Sequence, residues 1–388
     1  MPDDDIPIAE VIEKPPTINR TPPSGRLFPC PMCGARLEYD PKSRGLTCHF
    51  CGYDKKIDRG TPDEVPERDY LDYLDREEAT GKAVAGRSQE VHCTGCGANV
   101  LLEDKVATEK CPFCLTHLEN SSVEATHAMI PPESLLPFTV ELREAREAYN
   151  TWIRSLWFAP NSLKTLANLG QLTGLYIPFW TYDAMTVTFY SGERGDNYTD
   201  VVYYTDSNGQ RQSRTVIRTN WYRVSGEVRH FFDDVLICGS KSLPLKLLDK
   251  IADWPLLKLE PFRAEFLSGF KTERYAVGLK GGYRNSKEVM QPMIDDLVRQ
   301  DIGGDHQRVN EQNSKFSAIT FKPLLLPLWI AVYRYHEQTY QIVVNGRSAK
   351  VAGYRPYSGW KIAVFVVMCL GIVAGAGWLY VKLRRGDG

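Results

Sequence analysis

Two cysteine quartets constrain this chain more than any other feature. Eight of its ten cysteines lie between Cys30 and Cys114, in two copies of one pattern. The first copy is Cys30-Pro-Met-Cys33 with Cys48-His-Phe-Cys51; the second is Cys93-Thr-Gly-Cys96 with Cys111-Pro-Phe-Cys114. In both copies 14 residues separate the two pairs, and Gly34, Gly52 and Gly97 directly follow three of the four pairs. Two thiolates three positions apart on a tight turn can share one metal, and glycine lets the backbone turn beneath the sulfurs. Two such knuckles joined by a short hairpin complete a tetrahedral four-thiolate site. The pattern therefore predicts two zinc ribbons, with Cys30, Cys33, Cys48 and Cys51 holding one structural Zn2+ and Cys93, Cys96, Cys111 and Cys114 the other. Zinc is the common structural choice for such a site, and rubredoxin-like iron is the alternative metal. Four equally spaced pairs fit metal sites better than disulfides. Each quartet is complete without the neighbouring His49, His92 and His117, which read as surface residues.

Thiolate sites require a reducing compartment, so the ribbons are expected in the cytosol. The N-terminus, Met1-Pro-Asp-Asp-Asp5, has no apolar core of the kind a secretory signal needs. A net charge of −1 and a pI near 6.7 argue against a broad nucleic-acid-binding surface. The 388 residues leave room for two or three domains.

Taken in order, residues 1–26 are charged and proline-bearing, with no apolar period, and read as a disordered lead. Ribbon 1 spans 27–58. Its aromatics Phe28, Tyr39, Phe50 and Tyr53 read as a miniature core, with nucleic-acid contact as the alternative. Residues 59–90 form an acidic linker. Tyr70, Leu71, Tyr73 and Leu74 give it a short amphipathic helix, read as a solvated spacer, with partner docking as the sharper alternative. Ribbon 2 spans 91–122.

From 123 to 357 the pattern is that of a β-rich α+β domain. A helix is expected over 141–157. Strands are expected at 176–182, 186–190, 198–205, 210–218 and 227–237, the third and fourth paired around the turn Asp206-Ser-Asn-Gly209. A second helix is expected over 286–301, bent or begun at Pro292. Ile177-Pro-Phe-Trp180 is echoed by Leu326-Pro-Leu-Trp329, which suggests two related halves, 123–240 and 241–357. A last hairpin turns at Asn345-Gly346. Residues 358–388 are a membrane anchor with a short tail: Ile362–Val381 is a run of 20 residues without a charge, long enough to cross the hydrocarbon core. Trp360, Trp378 and Tyr380 are placed as interfacial aromatics. With no upstream signal, the bulk of the chain is expected on the cytosolic side. Gly371-x-x-x-Gly375 offers a helix-pairing face and with it a homo-oligomer.

No phosphate-binding GxxxxGK[ST] loop, GxSxG elbow or HExxH motif occurs, so the chain is read as non-enzymatic. Gly303-Gly-Asp-His306 and Phe231-Phe-Asp-Asp234 read as turn caps, Glu193-Arg-Gly-Asp196 as a charged loop, Cys238 as a core thiol and Cys369 as a small apolar residue of the anchor.

Tyr176-Ile-Pro-Phe-Trp-Thr-Tyr-Asp-Ala184, Ser191-Gly-Glu-Arg-Gly-Asp196, Phe231-Phe-Asp-Asp-Val235, Asp301-Ile-Gly-Gly-Asp-His306 and Val343-Val-Asn-Gly-Arg347 resemble a family of bacterial membrane-anchored, TFIIB-type zinc-ribbon proteins. Its members are often labelled as similar to the primosomal helicase protein N-prime, a label the missing nucleotide loop does not support here. The resemblance implies an inner-membrane scaffold or adaptor for partner proteins, associated with phage-shock-type and SPFH-type membrane systems. A membrane-tethered nucleic-acid-binding protein is the alternative expectation.

Overall fold

The computed structural model describes residues 28–58, 65, 67–80, 89–102, 108–119, 130–160, 172–205, 207–335 and 338–386. The lead at 1–26 lies outside them, as do parts of the acidic linker. Ribbon 1 is a four-stranded sheet of β1 (Phe28–Pro29), β2 (Arg36–Asp40), β3 (Gly45–Thr47) and β4 (Asp54–Lys56). The linker contributes β5 (Arg68–Asp69) and α1 (Tyr70–Thr80). Ribbon 2 is two hairpins, β6 (Gln89–His92) with β7 (Asn99–Leu102) and β8 (Thr108–Lys110) with β9 (His117–Glu119). Then follow β10 (Ser134–Leu135), α2 (Leu142–Ser155), β11 (Thr173–Thr205), β12 (Arg211–Cys238), α3 (Leu245–Lys250), β13 (Glu260–Pro261) and β14 (Lys271–Thr272). The chain ends with α4 (Leu279–Ile302), β15 (His306–Tyr335), β16 (Gln338–Asn345), β17 (Val351–Gly353) and α5 (Gly359–Gly386).

Three very long strands organise the body. β12, β11 and β15 pair antiparallel in that order, from Phe179↔Cys238 out to Thr205↔Arg211 and from Thr173↔Ile330 out to Gly195↔His306. The separate strands expected from sequence are thus joined into continuous ones. Bulges absorb the irregular spots: the register shifts at Asp183, where Asp234 (φ 49°) and Ala318 (φ 48°) take the left-handed conformation. At about 3.3 Å per residue, the 33 residues of β11 span roughly 100 Å. The outer part forms an arm. Beyond Gly195 the arm narrows to the two strands β11 and β12, and Glu193-Arg-Gly-Asp196 is mid-strand rather than a loop. The two Pro-x-Trp stretches lie on neighbouring strands of this one sheet and meet at Ile177 opposite Leu326. The halves suggested by their echo therefore share a single sheet.

α4 lies along the arm. It buries Leu279, Gly282, Ser286, Met290, Ile294, Val298 and Ile302, a residue every three or four positions. It begins seven residues before the expected start because Gly282 makes a close approach productive: a Cβ there would collide with Tyr182 and Trp180. The Tyr182 hydroxyl donates to Leu279 O (2.8 Å) and the Trp180 indole to Val277 O (2.9 Å). Pro292 is exposed within the helix. Its lost hydrogen bond, about 3 kcal/mol, is offset by the buried stripe.

The linker is not a free spacer over its described part. β5 pairs with Thr320–Phe321 of β15, and α1 sets Tyr70 against Tyr283 (4.7 Å) and Tyr73 against Phe321 (5.3 Å). At the other end, α5 carries a 24-residue stretch, Gly359–Lys382, whose most apolar 18-residue window has a mean hydropathy of 2.4 with none of it buried, long and apolar enough to cross a membrane. Its start touches the body through Phe365 on Phe158 (5.3 Å) and Lys361 Nζ on Ala159 O (2.7 Å).

Candidate metal centres

All four knuckles share one backbone pattern. The amide four residues after the first cysteine donates to that cysteine's carbonyl (Gly34, Gly52, Gly97 and Leu115 to Cys30, Cys48, Cys93 and Cys111, 2.8–3.0 Å). The first cysteine's own amide donates one residue further on, to Ala35, Tyr53, Ala98 and Thr116 O (2.6–2.8 Å). The pattern needs a left-handed residue after the second cysteine, and Gly34, Gly52 and Gly97 supply it at φ 71–74°. The fourth knuckle uses Leu115 at φ 63° instead, a strained conformation for a residue with a branched side chain.

The knuckles bring each quartet together, with one sulfur from each of its four cysteines inside a 4.8 Å cluster. Cys30–Cys51 and Cys33–Cys48 are 3.5 Å apart; Cys93–Cys114 and Cys96–Cys111 are 3.4 and 3.7 Å apart. A tetrahedral ion with metal–sulfur bonds of about 2.3 Å sets its sulfurs roughly 3.8 Å apart, so both quartets fit such an ion. Protonation points the same way. The Cys51 N–H pulls the Cys48 thiol down to about 6, while Cys111 is pushed up, first by Cys96 and then by burial. Cys114 falls to about 7 because the Thr116 hydroxyl, 3.2 Å away, and the Thr116 N–H outweigh the burial that opposes its ionisation. Four crowded thiols cannot all ionise on their own, and a divalent cation removes that conflict.

The ribbons are seated on opposite faces of one sheet. Successive residues of a strand point to opposite faces. Tyr176 of β11, with Leu325 and Trp329 of β15, shares a core with Cys30, Leu37, Tyr39, Leu46 and Cys48 of ribbon 1. Leu175 and Ile177, with Leu324, Leu326 and Leu328, share the other core with Cys93, Val100, Cys111, Phe113 and Leu118 of ribbon 2. On ribbon 1, Tyr39 reaches out of the module: its hydroxyl donates to Phe138 O (3.1 Å), its amide to Ser268 O (3.0 Å), and its ring meets Phe266 edge-on (5.4 Å). Of the ribbon 1 aromatics read as a miniature core, Tyr39 thus belongs to the body and Phe50 is exposed. Ribbon 2 is tied by Gln341, whose amide donates to Phe113 O (2.8 Å), and by a bridge of Val100 to Glu273.

The three histidines stay outside both groups. His49 faces Glu38 (3.3 Å), His92 bonds Asn99 (2.7 Å), and His117 is exposed. Gly303 and Gly304 turn at positive φ, and Asp305 accepts the Asn197 amide (2.7 Å), so this stretch is a turn cap as expected. The Phe231–Asp234 stretch does more than cap. Buried Asp183 accepts from Thr320 (2.7 Å) and from the Asp234 amide, and Lys322 reaches Asp234 (2.9 Å) and Glu67 (3.1 Å). Burial raises the Asp183 carboxyl. This network fastens the linker to the sheet. The spacing of Asp183 and Lys322, 139 residues apart, gave no sequence signal for it. Cys238 is buried, as expected.

No protein-family model matches the chain, and no solved structure matches it significantly. An uncharacterized protein of Bacillus subtilis strain 168, YdjG, is 22% identical over 357 residues, covering 92% of this chain and 96% of that protein. The likeness runs along nearly the whole of both chains.

Proposed function

We propose that this chain is a non-enzymatic, membrane-anchored zinc-ribbon adaptor at the cytosolic face of a bacterial inner membrane. Zinc in each quartet fixes the base of the sheet, α5 holds the base at the bilayer, and the arm recruits partner proteins. The arm carries this reading. Tyr203 (61% exposed), Tyr222 (52%) and Ile217 (73%) stand in water along it. Arg211 lies over the Tyr203 ring (4.8 Å) and Arg308 over Trp221 (3.7 Å). Exposed tyrosine and arginine on a rigid support are the residues that dominate protein interfaces.

A photo-crosslinking amino acid at Tyr203 or Ile217 in living cells tests the reading. A discrete protein adduct is expected, lost when residues 197–220 are replaced by a two-residue turn, while metal content and membrane fractionation stay unchanged. Adducts confined to nucleic acid, with binding that falls steeply as salt rises, would replace the adaptor reading with the nucleic-acid one. Elemental analysis of the same preparations should return two zinc ions per chain and no iron.

A further inference from the structure

Glu273 follows β14 where ribbon 2 meets the sheet. Its amide donates to Tyr176 O (3.0 Å) and it bridges to Val100 of β7; the next amide, Arg274, donates to Asn99 O (3.1 Å). These are the backbone stitches that hold β7 to the body. The Glu273 side chain is 1% exposed. Its Oε1 accepts from the Ser242 hydroxyl, and its Oε2 has no hydrogen-bond partner among the described residues. The Ser242 carbonyl in turn accepts from the Gln341 amide (3.3 Å), the same group that donates to Phe113 O between Cys111 and Cys114. One buried carboxyl therefore sits under both halves of ribbon 2.

The groups around it set its charge. Cys238 and the Ser240 and Ser242 hydroxyls come from the end of β12 and the turn after it. Asp249 of α3 acts on Cys238, whose thiol burial pushes up to about 12. From ribbon 2, His92 beside β7 is exposed and bonded to Asn99, whose carbonyl accepts the Arg274 amide. Arg274 is half-buried beside it in sequence. Burial dominates Glu273 itself, with the Ser242 and Ser240 hydroxyls opposing it, and its carboxyl is pushed up to about 7.

We propose that Glu273 is a proton-operated latch for ribbon 2: neutral, it lets β7 and the Cys111–Cys114 knuckle seat on the sheet, and ionised, it loosens that seat. A seated ribbon keeps the carboxyl dry, whereas an unseated one exposes it to water and returns it to the ordinary glutamate range. The seated state therefore binds the proton more tightly. Its advantage is complete below the ordinary glutamate value, is lost as pH rises through about 7, and does not change further above that. Acidification tightens ribbon 2, and ribbon 1, seated through Tyr39 and Ser268, does not respond.

The test is hydrogen exchange on the full-length, metal-loaded protein in detergent micelles at pH 5.5 and 7.5, corrected for intrinsic exchange. Opening of residues 89–102 and 108–119 should rise at least about tenfold between the two pH values, with residues 28–58 unchanged. Glu273→Gln, which cannot ionise, should abolish the difference. If Glu273→Gln does not accumulate, Ser242→Ala serves: losing the hydroxyl that steadies the carboxylate should move the midpoint of the pH profile upward. Equal opening at both pH values, a pH dependence that survives Glu273→Gln, an unmoved Ser242→Ala midpoint, or both ribbons opening together would each overturn the latch.

Discussion

Phe50 and Phe113 occupy the same place in their knuckles, one residue before the last cysteine of each quartet, and they meet opposite fates. Phe50 is 84% exposed and Phe113 is 0% exposed. The sulfurs follow suit. Cys33 and Cys51 of ribbon 1 face solvent, while Cys96 and Cys114 of ribbon 2 are half-covered and pack against the body. Ribbon 1 docks through its hairpin, by Leu37 and Tyr39, and leaves Cys33 and Cys51 at the surface. Ribbon 2 docks with its cysteine quartet inward. The same spacing thus builds the same local site and leaves its orientation to the surface it lands on: an aromatic pocket of Phe138, Phe266 and Phe270 on one face, a flat aliphatic sheet on the other.

The comparison can be broken at the ligands first. Cys111→Ser removes a fully buried ligand, and the chain should lose one of two metal equivalents. The thermal midpoint should drop by about 10 °C or more, since ribbon 2 also roofs the aliphatic core. Cys33→Ser should also lower metal content, with a midpoint shift less than half as large; equal shifts in a calorimeter would mean that the two seats are energetically alike. The phenylalanines come next. Phe113→Ala should cost about 3–5 kcal/mol and Phe50→Ala less than about 0.5 kcal/mol, by denaturant unfolding of the metal-loaded chain. A large cost at Phe50 would show that this exposed ring is covered in solution. The smallest effect is at the fourth knuckle. Leu115→Gly relieves a left-handed leucine and should gain up to about 1 kcal/mol, whereas Gly97→Ala at the equivalent turn should lose a similar amount.

Much of the candidate site is legible in the sequence. The two cysteine quartets and the terminal apolar helix follow from spacing and length alone, because cysteine knuckles and long apolar runs obey local rules. The seating did not follow, since it depends on contacts such as Tyr39 with Phe138, 99 residues apart, that no local pattern encodes. The long strands were half-legible. Their alternation was visible in pieces, and the bulges at Asp183 and Ala318 hid that the pieces were continuous. α4 starts before the expected 286 because Gly282 packs against the Tyr182 and Trp180 rings, a contact that no local pattern encodes.

The length of β11 has a geometric consequence. A body tethered by one helix swivels about its anchor, and the outer part of β11, from Ala184 to Thr205 and roughly 70 Å long, turns that swivel into a wide sweep. Stiffness also makes the arm a ruler: whatever grips its end is kept at a fixed offset from the anchored base.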